Sequence, residues 1–187
     1  MPGQEMAVNG PLSGARGDGS TVVIGFAEAF AAIECVWSLQ GAGYRVTVSS
    51  RRGARSPLRR MRGVRVYDVA VPEHAWPDTV ADIRHLLAES QPAYLMPLDD
   101  AAVWVSDRLD LESLPDPGVR LVGPPHRQAE LCLDKVEQLA VAQLSGLPVP
   151  PTAVVDHLAD YQPEPWPVVV KLGRAVYDDR GPVNGSC

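Results

Sequence analysis

The sequence predicts an α/β fold, a doubly wound and mainly parallel sheet followed by an incomplete α+β lobe. Three observations predict it. Short β-branched runs alternate with amphipathic helical stretches through the first two thirds of the chain. The first two runs are joined by a helix-length crossover, which favours parallel pairing. Beyond residue 134 the pattern changes to one helix, a proline-stiffened turn and a further valine run.

Residues 1–20 lack the apolar core of a signal peptide and read as a flexible Gly/Ser/Pro tail. Chance accounts for the Arg16-Gly17-Asp18 tripeptide inside it. Thr21-Val22-Val23-Ile24-Gly25 is a buried strand ending in a turn. Residues 26–40 form an Ala-rich helix with Ile33, Val36 and Trp37 on one face, ended by Gly41 and Gly43. Residues 44–50, carrying Val46 and Val48, are the second strand. The turn Gly25-Phe26-Ala27-Glu28-Ala29-Phe30 lacks the second glycine of the dinucleotide fingerprint, and Phe30 fills the place of the third. Glu28 would also repel an anion, so a structural βαβ unit is expected here rather than an NAD site.

Seven arginines follow between 51 and 65: Arg51, Arg52, Arg55, Arg59, Arg60, Arg62 and Arg65. They begin at the C-terminal end of a strand, where open α/β sheets bind ligands. One or two of them, Arg51 first, are expected to reach an anionic substrate, and most read as a solvated loop. Nucleic-acid binding is not expected, because no aromatic residues interleave the arginines and the net charge is −6.

Residues 64–71 alternate as a third strand ended by Pro72. Residues 76–89 form a helix with Val80, Ile83, Leu86 and Leu87 on one face. Residues 91–98 make the fourth strand, and Asp99-Asp100 stand at its exit. One of this pair caps the helix over 101–109, and the competing reading sets one of them on substrate. A Pro/Asp/Gly turn at 114–118 leads to a fifth strand at 119–123, then Pro124-Pro125 and a helical turn at 126–133. His85 and His126 have no partner in the sequence pattern and read as structural.

Asp134 is a good N-cap for a helix over 135–145, closed by Gly146. Lys135 then stands on the first turn, against the macrodipole, so another interaction is needed to explain it; a phosphate would supply one. Pro148, Pro150 and Pro151 stiffen the exit. A strand at 152–155, a helical turn at 158–161 and a buried strand at 168–171 follow, the last ending in Lys171. A hairpin over 174–184, turning at Asp178-Asp179-Arg180-Gly181, is expected to lie open-edged. Lys135 and Lys171 are the only lysines in a chain that otherwise uses arginine. An ammonium is a compact point charge suited to a single phosphate oxygen, where guanidinium is a wide fork.

Asp134-Lys135 at a helix start, then Gly146-Leu147-Pro148-Val149-Pro150-Pro151-Thr152, then Pro167-Val168-Val169-Val170-Lys171, resembles the opening of an ATP-grasp domain. Leu172 stands where that superfamily more often has a small residue or proline. The resemblance implies a flexible tail over 1–20, a Rossmann-like pre-ATP-grasp domain over 21–125, and a linker helix with the start of the nucleotide-binding lobe over 126–187. It implies ATP as cofactor with Lys135 and Lys171 on its phosphates, and Mg²⁺ held by acidic ligands beyond these residues. It implies a small carboxylate substrate, activated as an acyl phosphate and captured by an amine or related nucleophile. Without the family's downstream glycine-rich loop and Mg²⁺ ligands, this chain by itself is expected to have little or no catalysis. The alternative is a stand-alone α/β domain that binds a small anion or a protein partner through the arginine loop and the Asp99-Asp100 exit.

Cys35, Cys132 and Cys187 make neither a metal-ligand spacing nor an even disulfide set, which fits a reduced, cytoplasmic setting. No apolar run is long enough to span a membrane. Self-association, or pairing through the open C-terminal edge, is the expected route to any oligomer.

Overall fold

The computed structural model describes residues 19–111, 118–162 and 167–175. The start of the expected tail, most of the turn at 114–118, and the expected hairpin from residue 176 onward lie outside them.

Five parallel strands form one sheet in the order β3-β2-β1-β4-β5. They are β1 (Thr21–Gly25), β2 (Arg45–Arg51), β3 (Val64–Val69), β4 (Tyr94–Pro97) and β5 (Arg120–Leu121). β1 is central, pairing Val22 with Val46 on one side and with Tyr94 on the other. Its residues are buried along their whole length, as a strand covered on both faces requires. Alternation then divides them. Val23 joins a core built with helix α2 (Pro72–Ser90), helix α3 (Asp100–Asp107) and helix α4 (Arg127–Leu133). Val22 and Ile24 join the opposite core with Val46, Val48, Leu58 and helix α1 (Ala32–Gly41). Helices on both faces of a parallel sheet are the doubly wound α/β architecture that the sequence predicts.

Local chemistry shifts several boundaries. α1 starts at Ala32 rather than Phe26, because the chain after β1 is first tied into turns. Ala27 N donates to Ser49 O at 2.8 Å and Ala32 N to Ala29 O at 2.9 Å. The buried stripe of α1 is Ala32 and Val36 at i, i+4. Trp37 lies about 100° further round the helix, and it is 61% exposed instead of sharing that face. α2 starts at Pro72, a residue suited to the first helical position. Ala75 leaves helical geometry (φ −146°, ψ 54°) just before Trp76-Pro77, where the sequence places the helix start. Pro77 lacks an N–H and crowds the carbonyl four residues back, which breaks the helix there. The arginine-rich loop contains a short 3₁₀ turn, Pro57–Arg60, capped by Ser56.

Two strand expectations are corrected. Residues 152–155 and 168–171 are in no strand. Val154, Val155, Val168, Val169 and Val170 are all exposed. β-branched residues favour a pleated surface, but a strand also needs a ladder partner. Among the described residues the partnering that this stretch finds is one antiparallel bridge, Asp134 to Arg174. Helix α5 (Lys135–Leu144) forms as expected, yet buries no residue. Among the described residues, no helix is long and apolar enough to cross a membrane.

The core makes a direct prediction. Leu86 is fully buried between α2 and the sheet, so Leu86→Ala should cost about 2–5 kcal/mol by urea unfolding. Trp37→Ala, on the outer face of α1, should stay within about 1 kcal/mol.

Candidate functional site

In an open α/β sheet the ligand crevice lies outside the strand C-termini, where the strand order reverses. Here the chain winds outward from β1 through β2 to β3, then returns to the other side of β1 at β4. The reversal therefore falls between β1 and β4. The connections at that edge are residues 26–31 after β1 and 98–99 after β4.

Arg51 organises this edge. It is the last residue of β2, and its guanidinium lies 4.3 Å from the centroid of the buried Phe26 ring. Its Nε and Nη2 donate to Glu73, the shortest bond being 2.7 Å. Its Nη1 donates to Asp99 at 3.2 Å and to Glu28 at 3.4 Å. Glu28 also accepts from the Ser50 hydroxyl at 2.6 Å and from the Arg51 backbone N–H at 3.3 Å. Each carboxylate arrives from a different connection: Glu28 from the loop after β1, Glu73 from the first turn of α2, Asp99 from the exit of β4. Burial would lower the Arg51 pKa, but the Glu73 and Asp99 carboxylates outweigh it and hold the guanidinium charged. The expected contact between Arg51 and an anionic substrate thus meets a fork whose three nitrogens all donate to protein carboxylates.

Asp99 performs the capping that its position predicts, accepting from Ala102 N at 2.8 Å. Burial raises its carboxyl pKa, against the pull of Arg51. Asp100, the first residue of α3, points its carboxylate to Lys135, with Oδ2 3.6 Å from Nζ. That pair is half exposed and worth less than about 1 kcal/mol, so the ammonium can leave Asp100 at little cost.

Lys135 occupies the first position of α5. Asp134 caps that helix through Oδ1, accepting from Val136 N at 3.0 Å and Glu137 N at 2.9 Å. These backbone bonds lower its pKa, and Arg174 adds to them. The Lys135 backbone N–H donates to Gly173 O at 2.7 Å. Lys171, which is exposed, lies two residues before Gly173. At most about 7 Å of extended backbone separates it from that bond. The structure thus ties the backbone two residues after Lys171 to the backbone of Lys135.

Glu28 and Glu73 were not read as partners of Arg51 from the sequence, and no motif marks them. The usable signal is positional, since both follow strands whose C-termini share one edge. Arg174 was likewise missed. Among the described residues no group of three or more His, Cys, Asp or Glu side chains is arranged to hold a metal ion.

No family model matches the sequence, and no curated protein matches it. Solved structures do. The chain is similar to glycinamide-RNase-transformylase T from Mycobacterium tuberculosis, with 25% identity and a TM-score of 0.53 over 75% of this chain and 36% of that one. It is also similar to an L-amino acid ligase from Bacillus licheniformis, with 20% identity and a TM-score of 0.55 over 82% of this chain and 37% of that one. The second likeness speaks to the fold alone. The chain spans little more than a third of the length of either. The resemblance to the ATP-grasp superfamily drawn from the sequence is borne out by this likeness.

The Arg51 cluster predicts a pH-dependent penalty. Arg51→Ala should destabilise the protein by about 3 kcal/mol at pH 7, because it leaves three carboxylates uncompensated. Asp99, already raised by burial, would rise further, so the folded variant binds that proton more tightly than the unfolded chain. Its stability then recovers as pH falls toward the carboxylate range. Urea midpoints at pH 7 and pH 4.5 should converge between variant and parent.

Proposed function

We propose that the chain supplies the N-terminal part of an ATP-dependent carboxylate ligase. Residues 21–125 form the Rossmann-like substrate-side domain, and residues from 126 begin the nucleotide-binding lobe. Lys135 and Lys171 hold the phosphates of ATP. The observation that carries this reading is the hydrogen bond from the Lys135 N–H to Gly173 O, which brings the two lysine segments together. They are separated by 36 positions in sequence (171 − 135). Two ammonium groups near one triphosphate neutralise charge that phosphoryl transfer must move. Lys135 leaves the weak Asp100 pair to do so. The acceptor is a small carboxylate bound at the sheet edge, where Asp99, Asp100 and the Arg51 cluster form the rim. Arg51 acts there by holding its carboxylates in place.

ATP supplies the phosphoryl group that activates the carboxylate as an acyl phosphate. An amine or related nucleophile then displaces phosphate. Mg²⁺ would accompany the nucleotide and neutralise its phosphates.

Calorimetry on the chain tests the reading. ATP with Mg²⁺ should bind more tightly than simple carboxylates, and Lys135→Ala or Lys171→Ala should each weaken ATP about tenfold or more. Equal affinity for ATP and a plain carboxylate would instead support a stand-alone anion-binding domain. Undiminished ATP affinity in Lys171→Ala would remove that residue from the site.

A further inference from the structure

Between the end of α5 and Gly173 the described residues hold a single short 3₁₀ turn, Leu158–Asp160, and mostly exposed side chains. Such a segment has many conformations, and closing it onto a fixed point costs entropy. Something must set where Lys171 comes to rest relative to Lys135. The bonds that do so meet at one place, the junction of α4 and α5.

Asp134 sits at that junction and divides its carboxylate. Oδ1 caps α5. Oδ2 accepts from Arg174 Nε at 2.9 Å. Two backbone bonds flank this ion pair: Lys135 N to Gly173 O at 2.7 Å, and Ala175 N to Leu133 O at 2.9 Å. Ala175 is buried beside Leu133 in the core shared with α2 and α3. Gly173 packs so closely that a Cβ there would stand 3.1 Å from Val136 Cγ2. The junction itself is braced, because Gln138 Nε2 donates to Leu131 O and Cys132 O and Arg127 pairs with Glu137. Residues 173–175 are therefore docked onto a braced corner, and the Arg174 side chain reaches across to Asp134.

We propose that Arg174, through Asp134, is a positioning residue for nucleotide binding: it fixes residues 173–175 along the first turn of α5 and so sets the spacing of Lys135 and Lys171. This rests on the ATP reading above. Arg174 touches no phosphate in this role. Asp134 has two functions that substitution can separate. Asp134→Ser keeps an oxygen acceptor for the cap and removes the partner of Arg174.

The test uses the full chain with two readouts, amide hydrogen exchange and ATP calorimetry. In Arg174→Ala and in Asp134→Ser, the Lys135 and Ala175 amides should exchange several-fold faster while amides within α5 keep their rates. ATP affinity should fall about three- to fivefold in each, the size expected of an exposed ion pair. The double variant should be no worse than either single one, and Arg174→Lys should recover part of the loss. Faster exchange with unchanged ATP affinity would make the pair purely structural and overturn the inference. Additive losses in the double variant would overturn it too, by putting Arg174 in direct contact with nucleotide. If the unsubstituted chain binds no ATP, the parent reading falls, and this inference with it. Binding that ignores both substitutions defeats the inference alone.

Discussion

Three carboxylates converge on the C-terminal edge of the sheet, and one guanidinium keeps them there. Glu28, Glu73 and Asp99 belong to connections that would otherwise repel one another in a partly dry setting, where unpaired charge is costly. Arg51 can serve all three because its donors lie in a planar fork, and because the same plane packs on the Phe26 ring. A lysine in its place would offer a point charge to one partner at a time. The geometry of the edge follows from this single side chain. With Glu28 held, residues 26–31 stay wound in turns and α1 starts late. With Asp99 held, α3 keeps its cap, and the next residue, Asp100, faces α5. Order thus passes from the end of β2 to the ammonium of Lys135 through consecutive named contacts.

The sheet was legible because its signals are local and repetitive. Valine-rich runs of strand length, glycine after helices, Asp before helices and a crossover of the right length all report on short-range chemistry, and each has its counterpart in β1 to β5 and α1 to α5. The capping roles of Asp99 and Asp134 were legible for the same reason. The valines at 154–155 and 168–170 misled because the propensity of a run says nothing of whether a partner strand lies beside it. Trp37 misled because a wide apolar stripe and a narrow one look alike until the helix start is known. Arg51 and Asp99 were legible as strand-end residues, but their pairing and the part of Glu28 and Glu73 were not: the partners of Arg51 sit 22, 23 and 48 positions away in sequence, and the folded sheet brings them together.

Burial is sharply uneven along the chain. Up to α4 the apolar side chains are mostly enclosed, on two faces of one sheet. Among the described residues from α5 onward they are mostly not, and Leu144, Leu147 and Val169 stand well out in solvent. Among the described residues beyond α5, position is set at the Asp134 corner, by a few polar contacts and by the burial of Ala175. Polar contacts at such an exposed corner are individually weak and open to screening by salt.

The exposed valines at 168–170 carry a hazard of their own. A β-branched run outside any ladder is a template for stacking against its own kind in concentrated solution. Pro167 at its head cannot donate a backbone bond, and Lys171 at its tail brings like charges together whenever two copies align in register. The Lys171 ammonium thus stands as a gatekeeper against self-adhesion of the run.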